Sequence, residues 1–261
     1  MMILITLIIL LYLSSSGCLV TYLKMENNRS CFNIAIGLML LAMGGHAYLL
    51  STQIFGSSLV NIGAMKALSL TSLIMLIISM PLIKRHVNTA LILILFAIVT
   101  IFLSLTDSKF AVNTQNPMLG IHILISIIAY AILLLAAIQA VLVYLRDRSL
   151  KSHSLSLIKK LPPMLRMERW LFQLVTIGFG FLTLSLLTSL FFYDTWFDKA
   201  VIHKTILAST AWVLYGTILV SRYVYGIRGK RAAKFVILSS FVLLLGITVT
   251  RVIQEVIFNY V

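Results

Sequence analysis

Long uninterrupted apolar segments, separated by short polar connections, dominate this chain. Crossing the hydrocarbon of a bilayer takes about 20 successive apolar residues. Backbone groups in lipid must find their partners internally, so such segments form helices. The apolar segments lie near 2–23, 32–51, 61–83, 87–105, 118–145, 170–193, 203–224 and 235–257. We therefore predict an all-α fold, a polytopic membrane helix bundle of about eight transmembrane helices, forming a single integral membrane domain over residues 1–261.

Composition excludes the water-soluble classes. Hydrophobic residues make up 61% of the chain and charged residues only 11%, whereas soluble domains carry about 25% charged residues. The net charge of +14 would suggest nucleic acid in a soluble protein. Here the basic residues occupy short loops, so the excess indicates membrane topology and attraction to anionic headgroups. We expect membrane lipids as partners, and no nucleic acid.

The loop charges predict an orientation. The first, third, fifth and seventh connections carry fifteen Lys and Arg residues, while the other connections hold only Lys109 and Lys199. Positive charge marks the cytoplasmic side, so both termini should lie on the outer, periplasmic side of a bacterial inner membrane. The fifth connection, the basic loop 146–169, reads either as a short helix on the inner membrane surface or as a solvated loop.

Three of the five histidines fall at one predicted depth. His46 near the end of helix two, His122 at the start of helix five and His203 at the start of helix seven share the outer level, whereas His86 and His153 are cytoplasmic. Ionisable groups at membrane depth are costly and are functional candidates. Imidazole ligates haem iron and divalent metals. The three outer histidines are therefore candidate ligands of haem iron or of a divalent metal, and a purely structural role stays open.

Helical phase suggests that two of these histidines face the bundle. Small side chains follow His122 on one face, namely Ser126, Ala129, Ala136, Ala137 and Ala140, as in a close helix contact. A second stripe, of hydroxyl residues, follows His203 at Thr210, Thr217 and Ser221. Both patterns predict that the histidine side chains point inward.

Two cations accompany the histidines. Lys66 is predicted about two turns into helix three, and Arg251 lies near the outer end of helix eight, four residues before Glu255. They could bind haem propionates. Alternatively, Lys66 extends to the membrane surface and Arg251 pairs with Glu255. Asp107, Asp194 and Asp198 in the outer loops keep a metal site possible.

Two segments resemble a known family. Gly120-Ile-His122-Ile-Leu-Ile-Ser126-Ile-Ile-Ala-Tyr130-Ala is similar to the opening of a core helix in the cytochrome c assembly family of haem-handling membrane proteins, the CcsA, CcmC and HemX relatives. Trp212-Val-Leu-Tyr215, followed by Arg228-Gly-Lys-Arg231, resembles that family's Trp-x-x-Tyr helix and basic turn. In length and motif order the chain is most similar to the YpjD/HemX-like branch.

The resemblance implies haem as a cofactor, axial ligation by His122, and other membrane proteins of cytochrome or haem assembly, or of transport, as partners. The outer loop before helix seven contains one Trp, Trp196, where haem exporters of the family have a Trp-rich motif. No nucleophile setting or phosphate loop is recognisable, so we predict no enzymatic activity. Haem binding or handling is the leading function. The alternatives are a divalent-metal or small-solute permease, an accessory subunit of a cation exporter, and a membrane assembly scaffold.

Overall fold

A computed structural model of the chain describes residues 2–25, 28–55, 60–84, 87–105, 112–114, 117–152, 162–192 and 202–252. Several residues named above lie outside these ranges: His86, Asp107, Lys109, His153, Asp194, Trp196, Asp198, Lys199 and Glu255. The middle of the basic loop 146–169 also lies outside them. The interpretations placed on these residues stay predictions.

Eight α-helices make up nearly all of the part of the chain that the structure describes. Their bounds are α1 Met2–Lys24, α2 Arg29–Phe55, α3 Ala64–Ser79, α4 Val87–Ser104, α5 Pro117–Ser152, α6 Met164–Phe192, α7 Ile202–Tyr225 and α8 Gly229–Val252. Within the described ranges, six of these (α1, α2, α4, α5, α6 and α7) are long and apolar enough to cross a membrane. A helical, multi-pass membrane protein is thus confirmed, while the number of eight crossings and the orientation of the termini stay predictions.

A short β-ribbon accompanies the helices of the otherwise all-helical fold. Asn61 and Ile62, expected at the start of helix three, instead belong to β1, Val60–Ile62, which pairs antiparallel with β2, Val112–Thr114. Helix α3 therefore begins only at Ala64, and it ends before a 3-10 turn at Met80–Leu82 that contains Pro81. Proline lacks the N–H that would continue the α-helical bonding.

Several helices extend beyond the apolar segments that predicted them. Helix α5 continues to Ser152, while α6 begins at Met164, directly after Pro162 and Pro163, and α8 begins at Gly229. The basic loop 146–169 is thus helical from Arg146 to Ser152 and again from Met164 to Arg169. Hydropathy indicates where a helix is in lipid, whereas its backbone bonding continues into the charged residues that follow.

The helices form two compact units, Met1–Gln115 and Asn116–Val261. In the first unit α1 packs on α2 and α4, and α3 packs on α2 and α4. In the second unit α5 packs on α6 and α8, and α7 packs on the same two helices. The single integral domain proposed from the sequence stays a prediction.

Close packing of α5 in the second unit agrees with its stripe of small residues. Ala129, Ala136 and Ala140 are fully buried. Opposite them on α6, a Cβ added to Gly178 would lie 2.6 Å from Leu133 Cδ2. A larger residue at this position would have to displace the buried Leu133 side chain, so the glycine suits the close approach of the two helices.

Candidate functional site

Side-chain hydrogen bonds join α5 and α6 at one end of the second unit. His122 Nδ1 lies 2.9 Å from Thr188 Oγ1. One turn along, Ser126 Oγ lies 2.7 Å from Ser185 Oγ. His122 and Thr188 are half-buried, whereas Ser185 is buried. The face of α5 that begins at His122 therefore points toward a neighbouring helix, as its phase predicted.

The hydrogen bonds around Thr188 favour one tautomer of His122. The Thr188 hydroxyl donates to the Ser185 carbonyl oxygen at 2.9 Å. A hydroxyl has a single hydrogen, so with that bond formed Thr188 Oγ1 accepts from Nδ1–H of His122. In a neutral imidazole the lone pair is then on Nε2. This is the arrangement in which a histidine presents Nε2 to iron or zinc while a partner at Nδ1 orients the ring.

His203 and Arg251 lie at the same end of the second unit by backbone position. Thr183, which accepts from Trp212 Nε1 at 2.8 Å, aligns α6 with α7. At a rise of about 1.5 Å per residue, the backbone of His203 is about one helical turn beyond the level of His122. The Tyr215–Ser240 bond aligns α7 with α8 in the same way, which brings the backbone of Arg251 to this end. The side chains of His203 and Arg251 are outside the described part.

Two of the three residues in the hydroxyl stripe that follows His203 lie on an exposed face, which corrects the prediction for them, whereas Ser221 is half-buried. Thr210 and Thr217 are exposed. Their hydroxyls donate to the carbonyl oxygens of Ile206 and Val213, one turn back in the same helix. A threonine in a helix can satisfy its hydroxyl in this way, so a period of hydroxyl residues does not identify a buried face.

The Trp-x-x-Tyr pair of α7 has an evident packing role. Trp212 stacks on Phe179 of α6 with ring centroids 5.5 Å apart. Tyr215 is fully buried, and its hydroxyl lies 2.6 Å from Ser240 Oγ of α8. The two residues thus attach α7 to the helices on either side of it.

His46 lies in the core of the first unit. Its side chain is fully buried. Nε2 is 2.8 Å from Ser69 Oγ of α3, and Nδ1 is 3.3 Å from the Tyr12 hydroxyl of α1. Both ring nitrogens therefore face hydroxyl groups of neighbouring helices, an arrangement that joins α1, α2 and α3. To bind iron, His46 would have to give up one of these contacts.

Lys66 is closer to the end of its helix than the sequence suggested. Because α3 begins at Ala64, Lys66 lies in the first turn and not two turns in. Its Nζ donates to the Gln53 carbonyl oxygen of α2 at 3.0 Å. Carbonyl groups at the end of a helix lack partners within that helix, and a lysine is a favourable one. The position agrees with the interfacial alternative for this residue.

Sequence reasoning missed the partners of both histidines. Thr188 and Ser185 are separated from His122 by more than 60 residues, and Ser69 and Tyr12 belong to other helices than His46. The spacing of Ser185 and Thr188 on one face of α6 was the available signal. In the described ranges no three His, Cys, Asp or Glu side chains come together as metal ligands.

The helical membrane fold, the His122 segment of α5 and the Trp212–Tyr215 segment of α7 together indicate a multi-pass membrane protein of one family. The family model described as cytochrome C assembly protein matches residues 1–258. The chain belongs to the cytochrome c assembly protein family, as the resemblance of its motifs predicted.

Individual relatives cover most or half of the chain. Inner membrane protein YpjD of Escherichia coli strain K12 is 29% identical over 239 residues, which span 89% of this chain and 91% of that protein. A protein of Azospirillum brasilense, the 28.8 kDa protein in nifR3-like 5′ region, is 30% identical over 141 residues, or 53% of this chain and 52% of its own length. No solved structure matches.

Proposed function

We propose that this protein binds haem at the outer end of its second unit and handles it during cytochrome or haem assembly, without catalysing a covalent step. Haem would be cargo. The observation that carries the proposal is the chain of hydrogen bonds from His122 through Thr188 to the Ser185 carbonyl. It supports an imidazole whose Nε2 lone pair can take an axial position on iron.

Family membership supports haem as the ligand. The matching family model is named for cytochrome c assembly, and His122 occupies the position that the motif resemblance assigns to an axial ligand. The similar Escherichia coli protein is named as an inner membrane protein, and we propose the same location here. The partners would be lipids and other membrane proteins of the assembly route.

The second axial ligand would be His203. Its backbone is about one turn from the level of His122 in the same unit, whereas both nitrogens of His46 already have hydroxyl partners. Arg251, at the same end of the unit, would neutralise a propionate. Lys66 would do so only by leaving the Gln53 carbonyl.

Haem loading of the purified full chain in mild detergent tests the proposal. We expect a Soret band and a pyridine haemochrome spectrum in the wild type, and a weakened or shifted band in His122→Ala. The matched control is His153→Ala, which removes a histidine from the predicted cytoplasmic loop and should leave the spectrum unchanged. A wild type without a Soret band, or an unaltered band in the His122→Ala/His203→Ala double variant, would reject haem ligation at this site.

A further inference from the structure

A basic cleft lies at the end of the second unit opposite to His122. It measures about 600 Å³ and opens between the beginning of α6, the last turn of α7 and the turn before α8. Arg169, Arg222 and Arg228 line it together with Glu168, Phe172 and Ile177. Three arginines against one glutamate leave the lining with a net positive charge. Neither the haem proposal nor family membership assigns a role to this cleft.

Arg222 is held in place at the cleft. Its Nη1 donates to the Ile227 carbonyl oxygen at 3.0 Å, and its guanidinium lies 4.4 Å from the centre of the Phe172 ring. The hydrogen bond uses one of the five N–H donors of the guanidinium. Because the backbone and the ring fix the orientation of Arg222, little side-chain entropy remains to be lost when a ligand binds.

The glutamate is directed at the start of α8. Glu168 is buried, and its Oε1 lies 3.4 Å from the position a Cβ on Gly229 would take. Gly229 is the first residue of α8, and the N-terminal end of a helix stabilises a negative charge. The carboxylate thus lies where the N-terminal end of α8 stabilises its charge, and the three arginines still outnumber it in the lining of the cleft.

The wall of the cleft is apolar as well as basic. Leu165 and Ile177 are more than half exposed, at 68% and 53%, and both line it. Residues 165, 169, 172, 173, 176 and 177 of the lining recur at helical spacing, so they form one stripe that runs along α6. Helix α6 is itself a candidate membrane span from Met164 to Leu190. The stripe thus leads from charged groups at a helix end into the region of lipid chains.

We propose that this cleft binds one anionic phospholipid, with the phosphate of its headgroup on Arg169, Arg222 and Arg228 and an acyl chain along Leu165 and Ile177. Guanidinium groups bind phosphate oxygens bidentately. Basic pockets between membrane helices on the cytoplasmic side are suited to anionic headgroups, and the loop charges predict that side here. A soluble phosphate compound lacks an acyl chain that could contact the apolar stripe.

Native mass spectrometry of the full chain in detergent tests the proposal. The protein is titrated with dioleoyl phosphatidylglycerol and, separately, with dioleoyl phosphatidylcholine. We expect one phosphatidylglycerol to bind at least about tenfold more tightly than phosphatidylcholine, and Arg222→Gln/Arg228→Gln to weaken that binding about tenfold. The matched control is Arg148→Gln/Arg231→Gln, which removes two exposed charges from the same end and should change the affinity less than about twofold.

Arg169→Gln is the second variant, since Arg222 also holds the turn at Ile227. It changes an exposed side chain and should weaken phosphatidylglycerol binding even if the double variant folds poorly. Equal losses in the cleft and control variants would show a general attraction of charge and overturn the proposal. So would equal affinity for the two lipids. Displacement of phosphatidylglycerol by inorganic phosphate at a similar concentration would also overturn it, in favour of a soluble anion.

Discussion

His46 Nε2 and Ser69 Oγ lie 2.8 Å apart in the core of the first unit, where neither side chain is exposed. The bond joins α2 to α3, and the contact of Nδ1 with Tyr12 extends it to α1. An imidazole that links three helices in this way contributes to stability because its polar atoms would otherwise be buried without partners.

Replacing His46 by alanine should therefore destabilise the first unit and leave haem binding unchanged. The variant loses two interhelical hydrogen bonds and leaves a cavity, with an expected cost of about 2–4 kcal/mol. Thermal unfolding in detergent, followed by intrinsic fluorescence, measures the stability, and the Soret band of the loaded protein measures haem binding. A variant of normal stability that has lost the Soret band would make His46 a ligand instead of a core residue.

Thr188→Val should weaken haem binding through His122. The change removes the hydroxyl that orients Nδ1 and fixes the tautomer, and loss of such an outer partner typically costs 10–100-fold in affinity. The quantity to measure is the haem dissociation constant by absorbance titration.

Thr183→Val serves as the comparison for that variant. Thr183 is on the same helix and also accepts a side-chain hydrogen bond, but from Trp212. It should cost stability with little change in haem affinity. The same loss of affinity in both variants would argue against a specific role of Thr188.

Gly178→Ala should force α5 and α6 apart. The new methyl group would lie 2.6 Å from Leu133 Cδ2 and 2.8 Å from Leu133 Cγ, and overpacking of this kind costs about 1–3 kcal/mol. Gly180→Ala is the control on the same helix, because a Cβ there meets nothing within 4 Å among the described residues. Comparable melting temperatures for the two variants would contradict the close approach of the helices.

Removing the two hydroxyl groups of the Tyr215–Ser240 hydrogen bond one at a time should lower stability by unequal amounts. Ser240 Oγ donates to the Val236 carbonyl oxygen, so the Tyr215 hydroxyl is the donor between the two side chains. Ser240→Ala leaves that buried donor unsatisfied and should cost about 1–3 kcal/mol. Tyr215→Phe leaves Ser240 bonded within its own helix and should cost less, about 0.6 kcal/mol.

Tyr223→Phe controls for the aromatic substitution, since Tyr223 is 93% exposed. Unfolding in denaturant gives the change in the free energy of unfolding for Ser240→Ala, Tyr215→Phe and Tyr223→Phe. A larger loss in Tyr215→Phe than in Ser240→Ala would reverse the assigned direction of the bond.

The sequence predicted the helices well where lipid determines them and less well elsewhere. The apolar segments predicted the positions of all eight described helices, and six of these are long and apolar enough to span a membrane. Apolar length could not locate the ribbon of Val60–Ile62 with Val112–Thr114, since strands of three residues carry no period and their pairing spans about 50 positions.

The candidate site was predicted at the level of residue type, not of contacts. Helical phase correctly predicted that His122 faces a neighbouring helix, because small residues on one face of a helix indicate close packing. The partner Thr188 depends on the rotation of α6, which no local pattern determines. The stripe at Thr210 and Thr217 was misleading for a related reason, since a hydroxyl bonded to its own helix is tolerated on an exposed face.

Helix α5 has 36 residues and is therefore about 54 Å long, whereas the hydrocarbon layer is about 30 Å thick. Even allowing for tilt, α5 is too long for all its residues to lie among the lipid tails, and Arg146, Asp147 and Arg148 give its last part charges that suit the headgroups or water. A protein that docks on this side of the second unit would therefore meet the charged end of a helix, and not only lipid headgroups.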